Sequence, residues 1–475
     1  MAQPKTFRNI LLTASAMTFV ALGTSKAISQ EVMVDDTSAA TVAGSTLQDA
    51  MAYGITNNPE FGTVASSRRA TSEELRQGRA GYLPSVDLRG DTGFEYTDDQ
   101  GTRNRLGSDD DTLFRYEIGA TLTQMLFDGF DTRYEVERQK ARVNSSANRV
   151  RETVELLGLS IVEAYLEVMR QRQLLTIARQ NVAQHLDILQ QIQDGVGAGR
   201  STQADLEQAR ARLANAQANE SNTRQSLRTA EAQYNREVGQ MPGNLQLTQA
   251  PFEAIAQSVD AEVQQTLSFS PTLDIFASDI EVAKAEYNQT QAPFYPQLDL
   301  QLNARQGEDL GGIEGVDKSA SALVVMNWNL YRGGADTARR REFVHRTQQA
   351  RHESADAARQ VENDVRSTWA SMVAAGERAN QFATQAEANA EVVRAYKDQF
   401  SLDRRSLLDV LDSQNELFVS RSNTINAEYL EMFAVYRLLA LKGKLLPSMG
   451  MEYPKSVTLN NSTSWASDDT RSKLN

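Results

Sequence analysis

Along this 475-residue chain, apolar residues recur with two different periods. One is the seven-residue repeat of helices packed side by side. Val168, Leu175, Val182, Leu189 and Val196 make one such column. Val365, Met372, Ala379, Ala386, Val393 and Phe400 make a second, and Leu411, Phe418, Ile425, Met432, Leu439 and Leu446 a third. Between them stand mostly Ala, Gln, Asn, Glu and Arg. The apolar seam is therefore narrow, which suits a coiled coil or a tube wall better than a globular core. A helix from about Thr132 to Gly195 would be roughly 95 Å long at 1.5 Å per residue, far beyond an ordinary globular helix.

The other period is two. In 84–97, Val86, Leu88, Phe94 and Tyr96 alternate with Asp87, Arg89, Asp91 and Glu95. The same alternation marks 112–124, 298–305 and 320–330, where Phe114, Ile118, Leu300, Leu302, Val324 and Trp328 share the apolar faces. Apolar-out, charged-in alternation over such lengths is the pattern of membrane barrel strands, and a half-solvated soluble sheet is the alternative. Strands are expected at about 84–97, 112–126, 296–306 and 319–331. The tips between them, 97–111 and 306–320, are rich in Gly and Asp and read as solvated loops; a calcium site at Asp109–Asp111 is the lesser reading.

The two periods occur twice, in the same order. "YLPSVDL" (82–88) returns as "YPQLDL" (295–300), "LFDGFDT" (126–132) as "LYRGGADT" (330–337), and "GRSTQADLEQ" (199–208) as "DRRSLLDVLD" (403–412). "YNREVGQMP" (234–242) answers "RLLALKGKLLP" (437–447). This divides the chain into a first repeat, 45–242, a linker, 243–258, and a second repeat, 259–447. The Ser-, Asp- and Asn-rich tail 448–475 reads as disordered. At the other end, Lys5 and Arg8 precede the apolar run Ile10 to Leu22, with Ser25 and Ala27 beyond it. That is the layout of a secretory signal peptide, expected over 1–29.

Composition narrows the chemistry. There are 49 basic and 62 acidic residues, a net charge of −13, which does not suggest a nucleic-acid partner. Cysteine is absent, so disulfides, thiolate metal sites and a lipid-modified cysteine are not expected. Of three histidines, His345 and His352 lie seven apart with no third ligand near, and solvated helix positions are the simpler reading. No nucleotide loop, catalytic triad, cofactor motif or metal cluster is found, so the chain does not read as an enzyme.

Four membrane strands cannot close a barrel alone, and an open strand edge is not tolerated in lipid. Copies of the chain must share one. Two copies would give a filled eight-stranded barrel, and a conducting opening needs three or more. With the landmarks "NNPE" (57–60), "YLPS", "YPQL", "LFDGF", "LYRGG" and "RRSLLDVLDSQ", the chain resembles the TolC family of outer-membrane exit ducts over about residues 45–447. That resemblance implies a mainly α protein with a membrane β-barrel portion. It implies a homotrimer forming a twelve-stranded barrel in outer-membrane lipid, continued by an α-helical tunnel in the periplasm of a Gram-negative cell. It also implies a periplasmic adaptor and an inner-membrane transporter as partners. The lack of a lipidated cysteine leans toward type I protein secretion over multidrug or small-molecule efflux. From another class, a soluble periplasmic coiled-coil adaptor or scaffold would explain the heptads but not four strands whose apolar face lacks a matching core.

Two acids, Asp409 and Asp412, stand three apart after an Arg-Arg turn and share one helix face. Ser406-x-x-Asp409 and Thr202-x-x-Asp205 look like helix caps. Asp412 lies a turn too deep for capping, and its counterpart Gln208 is uncharged. The resemblance implies that Asp409 and Asp412 form carboxylate rings facing a pore, and that Arg405 is a latch reaching Asp205 of a neighbouring copy. Phe400 stands where the family's eponymous member has a latch tyrosine, so one hydrogen bond of that latch is expected to be missing. The turns holding Gly197, Gly199, Arg200, Ser201, Asp403 and Arg404 would be the adaptor docking tips; a plain helical hairpin turn, for which Gly197 and Gly199 suffice, is the simpler account.

Overall fold

The computed structural model describes residues 46–98, 111–402 and 404–455. The segment read as a signal peptide, most of the 97–111 loop, Asp403 and residues 456–475 lie outside the described residues.

The first repeat opens with α1 (Leu47–Asn57) and α2 (Pro59–Ala80). Thr46 and Asp49 form a reciprocal capping box at α1, and Pro59 sits where α2 lacks an N–H partner anyway. Strands β1 (Ser85–Thr97) and β2 (Asp111–Phe127) follow. Then come α3 (Asp131–Gly197) and its return helix α4 (Gln203–Val238). The second repeat mirrors this order with α5 (Val259–Phe269), α6 (Pro271–Gln289), β3 (Gln297–Glu308) and β4 (Val316–Asn327). It finishes with α7 (Ala335–Ser401) and α8 (Leu407–Leu441), and a short α9 (Leu445–Ser448) closes the order. The long helices match in length at 67 residues each, and the returns are 36 and 35.

Strand-to-helix turns repeat as well. Gly129 and Phe130 both take positive φ, as do Gly333 and Gly334 at the equivalent place. Gly129 also has Ala292 O within 2.6 Å of where a Cβ would stand, so only glycine fits there.

The four strands form one antiparallel meander in the order β1-β2-β3-β4. Its register puts Asp91 opposite Glu117, Glu117 opposite Gly307 and Gly307 opposite Asp317, so the polar positions of all four strands share one face. On that face Arg115 reaches Asp91 and Glu117, both at 2.7 Å, and Arg305 lies 3.4 Å from Asp317. The opposite face is apolar and uncovered: Val86 and Leu88 are each 70% exposed and Phe94 79%. Strand limits differ from expectation in the second hairpin. Pairing continues into the glycine-rich turn, through Gly307 opposite Asp317 and Glu308 opposite Val316. At the other end β4 stops at Asn327, because its partner β3 begins at Gln297, just after Pro296, which has no N–H to donate. Trp328, Leu330 and Tyr331 leave the sheet but stay exposed. The β3–β4 turn leans over the polar face, with Gly311 N donating to Glu95 Oε2 at 3.0 Å.

The main core lies midway along the helices. Val154, Ile161, Tyr165 and Val168 of α3 meet Met51 and Ile55 of α1 and Tyr436 and Leu439 of α8. The heptad column read on α3 is the seam only at Val168 and Leu175; nearer the tip Val182, Leu189 and Val196 are half-buried. There the buried positions are Ala178, Asn181, His185, Ile188 and Ile192. A straight helix drifts against a strict seven-residue repeat, so the buried face moves round by a position or so over several turns.

Two segments outside the repeats prove well packed. In the linker, Leu245 and Ala250 are buried, Tyr165 donates to Gln246 O at 2.5 Å, and Lys442 Nζ donates to Ala254 O. Lys442 is itself buried in an ion pair with Glu262 at 2.8 Å. The tail expected to be disordered from 448 is packed as far as Tyr453. Met449, Met451 and Tyr453 lie on the main core, and the Tyr453 hydroxyl sits between Glu155 and Gly443 O. Apolar residues among the polar ones of this tail, with a buried carboxylate to meet, outweigh its overall composition.

Glu155 is buried on α3, where it accepts from Leu445 N at 2.9 Å. Burial pushes its carboxyl up to about 7, against opposing hydrogen bonds from Tyr453 and Leu445 and the charge of Arg151. The Tyr453 hydroxyl has one proton for two acceptors, Glu155 and Gly443 O, so a proton on Glu155 would satisfy the second contact. The folded chain holds this proton more tightly than the unfolded one, whose glutamate titrates near 4.5. The stabilisation is therefore complete below that value and is lost as pH rises to about 7. Glu155→Gln should flatten the fall in thermal stability between about pH 5 and pH 8 by about 2–3 kcal/mol, read from melting curves in detergent at several pH values.

Candidate functional site

The residues singled out by sequence gather at the far end of the helices, where two turns join α3 to α4 and α7 to α8. In the first turn Arg200 N and Ser201 N both donate to Gly195 O, at 2.8 and 3.2 Å. Gly199 takes φ +71°, and a Cβ at Gly195 would meet Ser201 Oγ at 2.5 Å. Gly195 and Gly199 thus make this turn; Gly197 has open space around it and ordinary φ, so the plain-turn account does not need it. Thr202 and Asp205 then form a full capping box: Thr202 N and Oγ1 donate to Asp205 Oδ2 at 2.9 and 2.7 Å, and Asp205 N donates back to Thr202 Oγ1. In the second turn Arg404 N donates to Gln399 O at 2.9 Å, and Ser406 Oγ accepts from Asp409 N at 3.2 Å. Arg200 and Arg404 are exposed.

Below the turns a small apolar cluster ties the four helices together. Ile188 and Ile192 of α3, Leu206 and Ala209 of α4, and Leu407, Val410 and Leu411 of α8 are buried in it. Tyr396 and Phe400, one turn apart on α7, pack on its edge. Phe400 is thus an apolar clamp, and its lack of a hydroxyl suits its place.

Arg405 does not pair with Asp205 within the chain. Its guanidinium stacks on the Tyr396 ring, 3.9 Å from the centroid, and its Nη1 lies 3.7 Å from Asp409 Oδ2. Asp412 is exposed, and Arg212 Nη2 on α4 donates to its Oδ1 at 2.9 Å. Sequence reasoning missed both Tyr396 and Arg212. Tyr396 was within reach, since it precedes Phe400 by four residues and so shares its face. Arg212 was not, because 200 residues separate it from Asp412 and only the packing of α4 against α8 brings them together. His185, buried on α3, is held below its ordinary pKa first by burial and then by the nearby charges of Arg212 and Lys397. His345 and His352 are exposed, and no group of three or more His, Asp or Glu is placed to hold a metal among the described residues.

A sheet with one bare apolar face, long paired helices and ion pairs at their tips form a barrel-and-tunnel wall, the class of outer-membrane channel proteins. Comparison with known proteins agrees. Residues 54–240 and 263–444 match the model of the outer membrane efflux protein family, one segment in each repeat, and the chain belongs to that family. It is 27% identical to the outer membrane efflux protein BepC of Brucella suis, over 84% of this chain and 86% of that one. It is 24% identical to the alkaline protease secretion protein AprF of Pseudomonas aeruginosa, over 84% of each. Among solved structures, a membrane protein from Pseudomonas aeruginosa superposes with a TM-score of 0.74 at 16% identity, covering 83% of this chain and 90% of that one. The outer membrane protein VceC of Vibrio cholerae gives 0.72 at 15% identity, covering 84% and 96%. The protein is thus an outer-membrane channel-family member of a Gram-negative cell and not an enzyme. No helix among the described residues is long and apolar enough to cross a membrane.

Two outcomes are expected. Tyr396→Leu removes the ring beneath Arg405, worth about 1 kcal/mol, and should speed hydrogen exchange across 399–406 roughly fivefold with global melting unchanged. Leu88→Arg places a charge on the lipid face at a cost of about 2–4 kcal/mol at mid-bilayer depth and should lower the yield of heat-resistant, membrane-assembled protein.

Proposed function

We propose that three copies of this chain close a twelve-stranded barrel in the outer membrane, and that their helices form a periplasmic tunnel. Through it an inner-membrane transporter, joined by a periplasmic adaptor, passes its cargo. The duct is passive, with energy supplied by the transporter. The observation that carries this reading is the four-stranded sheet. Its apolar face is uncovered and the outer edges of β1 and β4 have no strand beside them among the described residues, a surface that lipid and further copies together would complete. A soluble coiled-coil adaptor or scaffold would leave that face in water.

In this assembly Asp409 and Asp412 face the tunnel at its narrow end, and the turns with Gly197, Gly199, Arg200, Ser201, Asp403 and Arg404 meet the adaptor. Arg405 latches onto Asp205 of the next copy. The cap engages only Oδ2 of Asp205, which leaves Oδ1 for such a contact.

Protein export of the type I kind is the cargo class we favour. AprF and the proteases secretion protein PrtF of Dickeya chrysanthemi, 22% identical over 84% of this chain, are both named for protease secretion. Efflux of small molecules is the second reading, favoured by the name of BepC.

Purified full-length chain should cross-link as a trimer in detergent and give small discrete currents in planar bilayers. A monomer that stays soluble without detergent would overturn the proposal. Deleting the gene separates the cargo classes: loss of proteins from the culture medium with unchanged drug tolerance is expected, and the reverse pattern selects efflux.

A further inference from the structure

The proposed pore brings together carboxylates that would, if bare, repel one another, favour cations and collect divalent ions. The structure of one chain shows them otherwise occupied. Arg212 Nη2 lies 2.9 Å from Asp412 Oδ1, at hydrogen-bonding distance and with opposite charge. The side chains are 40% and 53% exposed, so the pair stands at the surface and not in the apolar seam. Asp409 has Arg405 at 3.7 Å, a looser contact from a guanidinium already committed to the Tyr396 ring. Asp412 is therefore the more fully neutralised of the two acids. The contact also crosses the internal duplication, since Arg212 belongs to the return helix of the first repeat and Asp412 to that of the second.

We propose that Arg212 is a specificity-determining residue of the conduction path. It offsets the charge of Asp412, holds one of its two carboxylate oxygens, and makes this end of the tunnel weakly selective. The proposal rests on the channel reading above, in which Asp412 faces the lumen. A guanidinium is suited to this: it stays charged at any working pH and offers a rigid donor fork to a carboxylate. An exposed pair contributes little to folding stability, so its removal changes the pore and leaves the fold intact.

The test is a set of variants in planar bilayers: wild type, Arg212→Gln, Arg212→Lys, Asp412→Asn and Arg212→Gln/Asp412→Asn. Reversal potentials in a KCl gradient give cation-to-anion permeability, and MgCl2 titration gives block. Arg212→Gln should raise cation preference several-fold and lower the half-blocking Mg2+ concentration about tenfold, because a bare carboxylate then faces the ions. Asp412→Asn, which leaves the arginine bare, should shift selectivity toward anions. The double variant should return close to wild type, and Arg212→Lys should resemble wild type throughout. An Arg212→Gln channel that conducts like wild type while Asp412→Asn loses cation preference would overturn the proposal: Asp412 would then act unpaired. Absence of current from wild type and all variants would instead remove the channel reading beneath it.

Discussion

A strand edge in lipid meets no water, so every N–H and C=O along it needs a partner from protein. That constraint governs this chain more than any single contact. Its sheet has four strands, with one largely charged face and one largely apolar one, and the ion pairs among its described residues lie on the former. Alone it would have two unsatisfied edges and a naked greasy surface. The sheet is thus stable only as part of something larger, and the helical part inherits the consequence. In the proposed assembly, the number of copies that closes the barrel also fixes how many helices line the tunnel.

The helices answer with a different economy. Their seams are narrow, and the apolar core is concentrated where α1, α3 and α8 meet. Away from that waist they are joined by small clusters and by charge. At the tips, seven buried apolar residues, a cation over an aromatic ring and one tight ion pair tie the four helices together. The cation–ring contact and the ion pair are each weak, on the order of 1 kcal/mol or less when exposed. A rigid waist with lightly fastened ends lets the ends move without unfolding the middle.

Much of this was legible in the sequence because it is periodic. Alternation in 84–97 and 298–305 marks strands, since a side chain every second residue must face the same way. The second heptad column, from Val365 to Phe400, marks the packed face of α7. The column on α3 was legible only in part. A helix has 3.6 residues per turn, so its buried face slides from Val182 and Leu189 to His185, Ile188 and Ile192, where a histidine and an asparagine break the apolar signal. The caps at Thr202 and Ser406 are local and were readable. The partners of Asp412 and Arg405 were less so. One is 200 residues away, and the other is a single uncharged aromatic ring, nine residues from Arg405, that no charge pattern marks. The packed tail to Tyr453 was missed because composition averages over the few residues that matter.

The equal length of α3 and α7, 67 residues each, carries a consequence for how such a chain can change over generations. Each residue adds about 1.5 Å of rise and about 100° of rotation, so deleting one from either helix alone would shorten it and turn everything beyond the cut away from its neighbour. The sheet at one end and the turns at the other hold both helices to a common span. Insertions and deletions there are tolerable only as matched events in both halves, whereas the hairpin loops can lengthen freely. The internal repeat is thus kept most strictly in the length of its two longest helices, while other paired elements, such as α2 with 22 residues and α6 with 19, differ.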